Sequence, residues 1–384
     1  MNPLAALTLD ELRRRRSEKW RAYPPDVLPM WVAEMDTPLA EPIRDELHRA
    51  VELGDTGYPS PAALPDAYAQ FAGRRFGWRL DPAATALVPD VMQGVVAILE
   101  QVTDRGAGVV INPPVYPPFF SFLPRAGRRL VESPLVQVDG YWRLDTERLA
   151  EDLARPDVQA YLLCNPHNPT GAVLTRDELL TVAELAARHR VRVIVDEIHA
   201  PLTYPGAAHI PFLSLAEQAP GAAAGFAVVS ASKAWNLAGL KAALAVAGPA
   251  GLAELSRIPH DVREAGGIFG VAASEAAFRA GTPWLDELLA GLDANRRLLA
   301  DLLAEQLPAI GYRPPQATYL AWLDCRALDL AGEPAEVFLE RGRVAVNAGP
   351  QFGGPGHGFV RFNFGTHPDL VKEAVRRMAA AVAG

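Results

Sequence analysis

Two cysteines, Cys164 and Cys325, stand in 384 residues. That is too few for a disulfide framework, and a reducing cytoplasm is the expected compartment. No window has the unbroken apolar length of a membrane span. Residues 1–19 contain no apolar stretch of signal-peptide length, and the Arg13–Arg16 run within them reads as a solvated helix face. An excess of basic charge is also missing. The formal net charge is -8, which argues against bulk attraction to nucleic acid or to an anionic membrane. No Gly-x-Gly-x-x-Gly follows the first strands, which weakens a nucleotide-binding dehydrogenase, and no helix-turn-helix segment or basic patch supports a transcription regulator. His167, His189, His209 and His260 fall at no metal-ligand spacing. Internal repeats and low-complexity segments are lacking.

What is present is core. Hydrophobic residues make up 49% of the chain and charged residues 21%, the balance of a soluble globular protein with room for two domains. Residues 8–22 read as one short helix capped at Thr8 or Asp10. Leu28 to Asp36 reads as an apolar arm interrupted by acids. Apolar spacing predicts helices over Pro42–Leu53, closed by Gly54, and over Leu64–Phe76, with the rigid turn Gly57-Tyr58-Pro59 between them. A further apolar helix starts at Val91-Met92 after a turn at Asp90. Its free N–H groups could hold a phosphate.

From Gly106 onward strand and helix alternate. Val109–Ile111, Arg129–Pro134, Val158–Cys164, Val191–Val195 and Phe226–Val229 read as strands. Asp145 caps a helix running to Leu153, and Thr175 to Glu178 forms a capping box before another. This alternation indicates βαβ units and a mainly parallel sheet sandwiched by helices, an α/β fold. Beyond Pro283 the pattern changes. A long helix over Trp284–Gln306 is followed by short strands at Tyr319–Leu323, Val344–Val346 and Phe359–Asn363, then by a helix over Leu370–Val382. The expected division is an arm with part of a small domain (1–45), a large domain (46–283) and a smaller α+β domain (284–384).

In parallel sheets, functional groups gather beyond the carboxyl ends of strands. Asn112, Asn168, Asp196 and Lys233 all fall there. Alone, the Ser230-Ala231-Ser232-Lys233 run reads as a solvated loop lysine. Delivered by a buried strand, the same lysine is poorly solvated and has a lowered pKa. A lysine, an aspartate and an asparagine at neighbouring strand ends suit an aldehyde cofactor with a pyridine ring. The lysine forms the imine, the aspartate pairs with the ring nitrogen, the asparagine donates to the ring oxygen, and a tyrosine stacks on the ring.

Asn165 to Gly171, Asp196 and Ser230 to Lys233, in this order, resemble the fold-type I pyridoxal-phosphate enzymes of the aspartate aminotransferase superfamily. Met30 to Asp36, Asp196 to Ala200, Pro205 to Phe212 and Gly358 to Thr366 resemble its cystathionine β-lyase-like branch, the cysteine-conjugate C–S lyases. The likeness runs from about Trp20 to the last helix. It implies pyridoxal 5'-phosphate as cofactor, with Lys233 bound to it and acting as the base. It further implies Asp196 at the ring nitrogen, Asn168 at the ring oxygen and Tyr116 on the ring face. Val91, Met92, Ser230, Ser232 and Lys241 would hold the phosphate, joined by Tyr58 from the partner subunit of a homodimer. Arg361 would pair with the substrate carboxylate, with Asn168, Tyr58, Val32 and Ala33 also on the substrate side. His199 stands where aminotransferases carry a tyrosine to the ring oxygen, Gln93 where the branch usually has proline, and Glu34 where aspartate is usual. The implied reaction is β-elimination from an S-linked cysteine, a small amino-acid substrate, with transamination as the alternative.

Overall fold

The computed structural model describes residues 2–60 and 63–383. Its centre is a seven-stranded sheet. In chain order the strands are β1 (Thr85–Val88), β2 (Gly108–Ile111), β3 (Arg129–Glu132), β4 (Val158–Cys164), β5 (Arg192–Asp196), β6 (Phe226–Val229) and β7 (Ala243–Ala247). In space they lie β1-β7-β6-β5-β4-β2-β3. All neighbours are parallel except β7, which runs antiparallel to both β1 and β6.

The strands are apolar on both faces because helices cover both. Successive residues feed opposite cores, as a period of two requires. Val109, Ile111, Leu162, Ile194 and Val228 pack on one side of the sheet. Val110, Tyr161, Leu163, Val195 and Val229 pack on the other. Apart from the edge strand β3, where Arg129 and Glu132 are exposed, the strands are largely covered, so what the sheet offers to solvent is mainly its strand ends.

β1 and β7 were not anticipated. Ala243–Ala247 reads Ala-Leu-Ala-Val-Ala, a composition typical of helices. Register decides otherwise, because Ala243 pairs with Val88 and Leu244 pairs with both Leu87 and Val229. The small residues let the helix Val91–Val102 lie close against the sheet, where a Cβ on Gly94 would come 3.0 Å from Val88 and 3.2 Å from Val228.

A second sheet, four-stranded and antiparallel, orders Gly311–Tyr312, Leu320–Asp324, Phe359–Asn363 and Asn347–Ala348. The 25-residue helix Thr282–Gln306 precedes it and the helix Pro368–Ala383 follows. The arm strand Leu28–Pro29 pairs in parallel with Val344–Ala345, which ties the start of the chain to its end.

The single helix expected over residues 8–22 is instead two short ones, Leu9–Leu12 and Glu18–Arg21. Thr8 caps the first through a capping box with Glu11. The break has a cause in the arm. Arg15 reaches the carbonyls of Met35 and Thr37 at 3.2 Å and 2.5 Å. Lys19 turns inward to Asp36 at 2.7 Å, and both side chains are buried. Trp20 donates its indole N–H to the other Asp36 oxygen at 2.8 Å. A continuous helix would aim residues 15 and 19 along one face; the break at 13–17 frees their two directions.

Lys19 and Asp36 form an ion pair sealed from water, so removal of one partner strands the other charge. Lys19→Met is therefore expected to destabilise the protein by about 3–5 kcal/mol in urea unfolding. Lys19→Met combined with Asp36→Leu should recover most of that loss. Equal losses in the single and double variants would rule out a stranded charge as the cause.

Candidate active site

The carboxyl ends of β1, β2, β4, β5 and β6 face a cavity of about 200 Å³. Because β7 runs the other way, its start lies at this same edge and places Lys241 there. Val91, Met92, Tyr116, Asn168, Asp196, His199, Ser230, Ser232, Lys233 and Lys241 all line the cavity. Arg361 reaches it from the second sheet by donating to the Asn168 amide oxygen at 3.1 Å.

Asp196 ends β5 and is buried. Its carboxylate accepts the N–H of Ile198 at 3.1 Å and has, among the described residues, no cationic hydrogen-bond partner. Burial raises its pKa to about 7, with the Ile198 N–H and the nearby Lys233 charge opposing and Glu197 adding to the rise. A buried carboxylate in that state is poised to accept a cationic N–H.

Lys233 follows β6. Its amine donates to the main-chain carbonyl of Ala33 at 2.9 Å. Screening from bulk water lowers its pKa to about 8; Arg361 adds to the fall, and Asp196 and Glu34 oppose it. An amine with that pKa is partly neutral near pH 8 and so nucleophilic. His199 is held well below its ordinary pKa by burial and by the Lys233 and Arg361 charges, so its ring is neutral. Its Nδ1 is buried without a partner among the described residues. Tyr116 stands at the cavity wall edge-on to Phe119. Burial, with Asp196 adding to it, pushes the Tyr116 hydroxyl to about 12, so the ring faces the cavity uncharged.

The far end of the cavity suits an anion. Val91 and Met92 open the helix Val91–Val102, where N–H groups have no intrahelical acceptor and the helix dipole is positive. Ser230 donates to the Ala242 carbonyl at 2.7 Å and accepts the Ser232 N–H at 3.1 Å, which fixes the turn that carries Lys233.

Arg361 is buried and donates to Asn168, to the Trp31 carbonyl at 3.0 Å and to the Asn347 amide oxygen at 2.7 Å. All three acceptors are neutral, and the Arg361 Nε has no partner among the described residues. Burial lowers its pKa to about 10, which still leaves the charge intact at neutral pH. A buried cation whose acceptors are neutral could take a carboxylate.

The chemistry of this set fits pyridoxal 5'-phosphate. Asp196 could take a protonated ring nitrogen, Lys233 could reach the aldehyde carbon, Tyr116 could cover a ring face, and the helix start with Lys241 could take the phosphate. Two other sequence candidates, Val32 and Ala33, lie on the arm and present their carbonyls, to Asn363 at 2.6 Å and to Lys233. Tyr58 does not line the cavity; it is 87% exposed. The Glu34 carboxylate accepts from the Ser17 hydroxyl at 2.5 Å, and the Gln93 side chain faces solvent.

These features define a fold-type I pyridoxal-phosphate enzyme. The class I and II aminotransferase family profile matches residues 35–378, and the chain belongs to that family. Within it the chain falls in the cystathionine β-lyase-like branch. It is 51% identical to a candidate cystathionine β-lyase of Mycobacterium leprae, over 99% of this chain and 98% of that protein. It is 36% identical to the cystathionine β-lyase PatB of Bacillus subtilis, over 93% of each. A solved structure of a candidate PLP-dependent β-cystathionase from Corynebacterium diphtheriae superposes with a TM-score of 0.93 at 33% identity, covering 99% of both chains.

Several contributors escaped sequence reasoning. Asp90 lines the cavity and holds Lys241 at 3.1 Å. Tyr319 donates to the Ala33 carbonyl at 2.9 Å. Asn236 accepts the Met35 N–H and donates to the Met35 carbonyl, at 2.9 Å and 2.8 Å. The His167 ring lies 2.8 Å from the Pro114 carbonyl and 3.2 Å from that of Cys164, tying the Tyr116 loop to the Asn168 loop. Asn236 follows the Ser230–Lys233 run closely enough to be suspected; the others are made only by folding.

The Lys233 pKa is depressed from 10.5 to about 8, so the folded state binds fewer protons than the unfolded one between those values. The cost of burying the charge is full below pH 8 and fades as pH rises towards 10.5. In cofactor-free protein, Lys233→Met should thus be more stable than wild type at pH 7, by up to about 3 kcal/mol at ~1.4 kcal/mol per pH unit. The gain should vanish by pH 10.5. Labelling of Lys233 by an amine reagent should show a midpoint near pH 8, and Asp196→Asn should move that midpoint down. An upward move would contradict the electrostatics described.

Proposed function

We propose that the protein is a pyridoxal-phosphate-dependent carbon–sulfur β-lyase that cleaves cystathionine or another cysteine S-conjugate to a thiol, pyruvate and ammonia. The observation that carries this reading is the convergence of Lys233 and Asp196 on one cavity, with Arg361 held beside it on the cavity residue Asn168, in a chain similar from end to end to cystathionine β-lyases.

When bound, the cofactor supplies an electron sink for the pair left on the substrate α-carbon. Arg361 pairs with the substrate α-carboxylate, since its present acceptors are neutral and yield to an anion. The amine of Lys233, with a pKa of about 8, both takes and returns a proton near neutral pH. It removes the α-proton. The β-carbon–sulfur bond then breaks, and the thiolate leaves with the bonding electrons. One water is consumed overall as the three-carbon fragment becomes pyruvate and ammonia. Asp196, Asn168 and Tyr116 orient the ring, with neutral His199 beside them. Val91, Met92, Ser230, Ser232 and Lys241 hold the phosphate, and Val32 and Ala33 border the substrate.

We further propose a cytoplasmic homodimer in which Tyr58 of one subunit completes the phosphate end of the other. The exposure of Tyr58 (87%), Val51 (64%) and Leu53 (68%) supports a covered surface there. Sedimentation of the cofactor-loaded protein should give twice the chain mass; a monomer would remove Tyr58 from the site.

Transamination begins with the same α-proton removal and is the second reading, favoured by the family profile. Cystathionine supplied without a keto acid separates the two. The lyase releases pyruvate and thiol over many turnovers; product that stops at one equivalent per chain and resumes with a keto acid identifies a transaminase. Arg361→Lys should raise KM for the S-conjugate roughly tenfold to a hundredfold, through loss of a charge-assisted paired contact.

A further inference from the structure

The phosphate end of the cavity already contains an anion of its own. The Asp90 carboxylate lines the same space as Val91, Met92, Ser230, Ser232 and Lys241. One of its oxygens accepts the N–H of Gln93 at 2.9 Å, capping the helix Val91–Val102. The other takes the amine of Lys241 at 3.1 Å. Two of the positive groups that a phosphate would use at this helix start are therefore held by a side chain. Lys241 reaches Asp90 from a left-handed backbone position, φ 58°, just before β7, so its direction is set by the sheet edge. The Asp90 side chain is only partly exposed, so solvent screening of a neighbouring anion is incomplete.

We propose that Asp90 is an affinity determinant for the phosphate group: an internal anion that competes with phosphate for Lys241 and for the helix start, and so opposes its retention. The inference rests on the pyridoxal-phosphate reading of the site and adds a residue to it. A phosphate monoester carries about -1.5 to -2 charges at neutral pH. On entering, it must draw Lys241 away from Asp90 or share it, and in either case it meets a carboxylate across the same few ångströms. Asn in place of Asp keeps the N-cap, because both accept from the first-turn N–H groups equally well, and removes only the charge. Ser at the same position caps as well and serves as a second neutral variant.

The test uses the full-length chain, stripped of cofactor and titrated in parallel with pyridoxal 5'-phosphate and with pyridoxal, which lacks the phosphate. Binding is followed by cofactor absorbance and by quenching of protein fluorescence. Asp90→Asn and Asp90→Ser should lower the Kd for pyridoxal 5'-phosphate roughly tenfold and leave the Kd for pyridoxal unchanged. Inorganic phosphate, read by the thermal shift it produces, should also bind both variants more tightly than wild type. An unchanged or weakened affinity for pyridoxal 5'-phosphate overturns the proposal, and so does an equal gain for pyridoxal. A wild type that takes up neither aldehyde fails the cofactor reading instead, and the inorganic phosphate titration then decides on Asp90 alone.

Discussion

The site depends on a row of main-chain carbonyls. Between Trp31 and Met35 the arm turns its oxygens towards the cavity side of both sheets, and the important donors come to rest on them. Lys233 and Tyr319 share the Ala33 oxygen. Arg361 takes Trp31, Asn363 takes Val32 and Glu34, Lys19 takes Glu34, and Asn236 takes Met35. A carbonyl carries only a partial charge. It satisfies a buried ammonium or guanidinium well enough to hold it in place, and it lets the group go when a full anion or a covalent partner arrives. A carboxylate at the same spot would neutralise the cation and hold it. Seating on carbonyls therefore keeps Lys233 and Arg361 in position and reactive at once.

That arrangement raises the question of what holds the carbonyls. The arm has almost no regular structure of its own beyond Leu28–Pro29. Its rigidity is borrowed from the Lys19–Asp36 pair, from Asn236 on the loop after Lys233, and from Asn363 at the end of a strand in the second sheet. Each of these ties fixes the arm to a different part of the chain. The arm is thus the piece through which the large sheet, which supplies Lys233 and Asp196, and the small sheet, which supplies Arg361, are set at a common distance. Asp36 bears on the site without lining the cavity, since a shift of the arm would move the carbonyls that hold both Lys233 and Arg361.

Much of the large sheet could be read from the chain because its signals are local. A strand buried on both faces shows as an apolar run, a capping box shows as Thr175 and Glu178, and a strand end shows as the polar residue that follows. Asn168, Asp196 and Lys233 carry that signal, and the structure brings all three to one cavity. The four-stranded sheet was legible only in part, since some of its strands are two residues long. β7 was missed because alanine-rich strands make sense only when a helix must lie close to the sheet. The helix expected over residues 8–22 failed for the opposite reason: its local pattern was sound, and the long-range pull of Asp36 and of the Met35 and Thr37 carbonyls overrode it. Asp90 was passed over as a turn residue. Its meaning lies in Lys241, about 150 residues on, and no spacing rule reaches that far.

One signal in the composition points at these places. Of the 37 lysines and arginines only four are lysines: Lys19, Lys233, Lys241 and Lys372. Lys372 is an exposed lysine paired with Asp369 on the last helix; the other three lie in the buried arm contact or at the cavity. At position 233 the proposed role gives a chemical reason for a lysine, because an arginine cannot be deprotonated at usable pH and could not form an imine. At position 19 the reason is geometric. A single compact ammonium bridges the Asp36 carboxylate and the Glu34 carbonyl in a buried setting. At position 241 a point charge on a flexible stem can turn from a carboxylate to a phosphate, whereas a guanidinium paired in two places with Asp90 would resist the exchange. The Asp90–Lys241 contact, between two partly exposed side chains at 3.1 Å, is one that an entering phosphate could break under the proposal above.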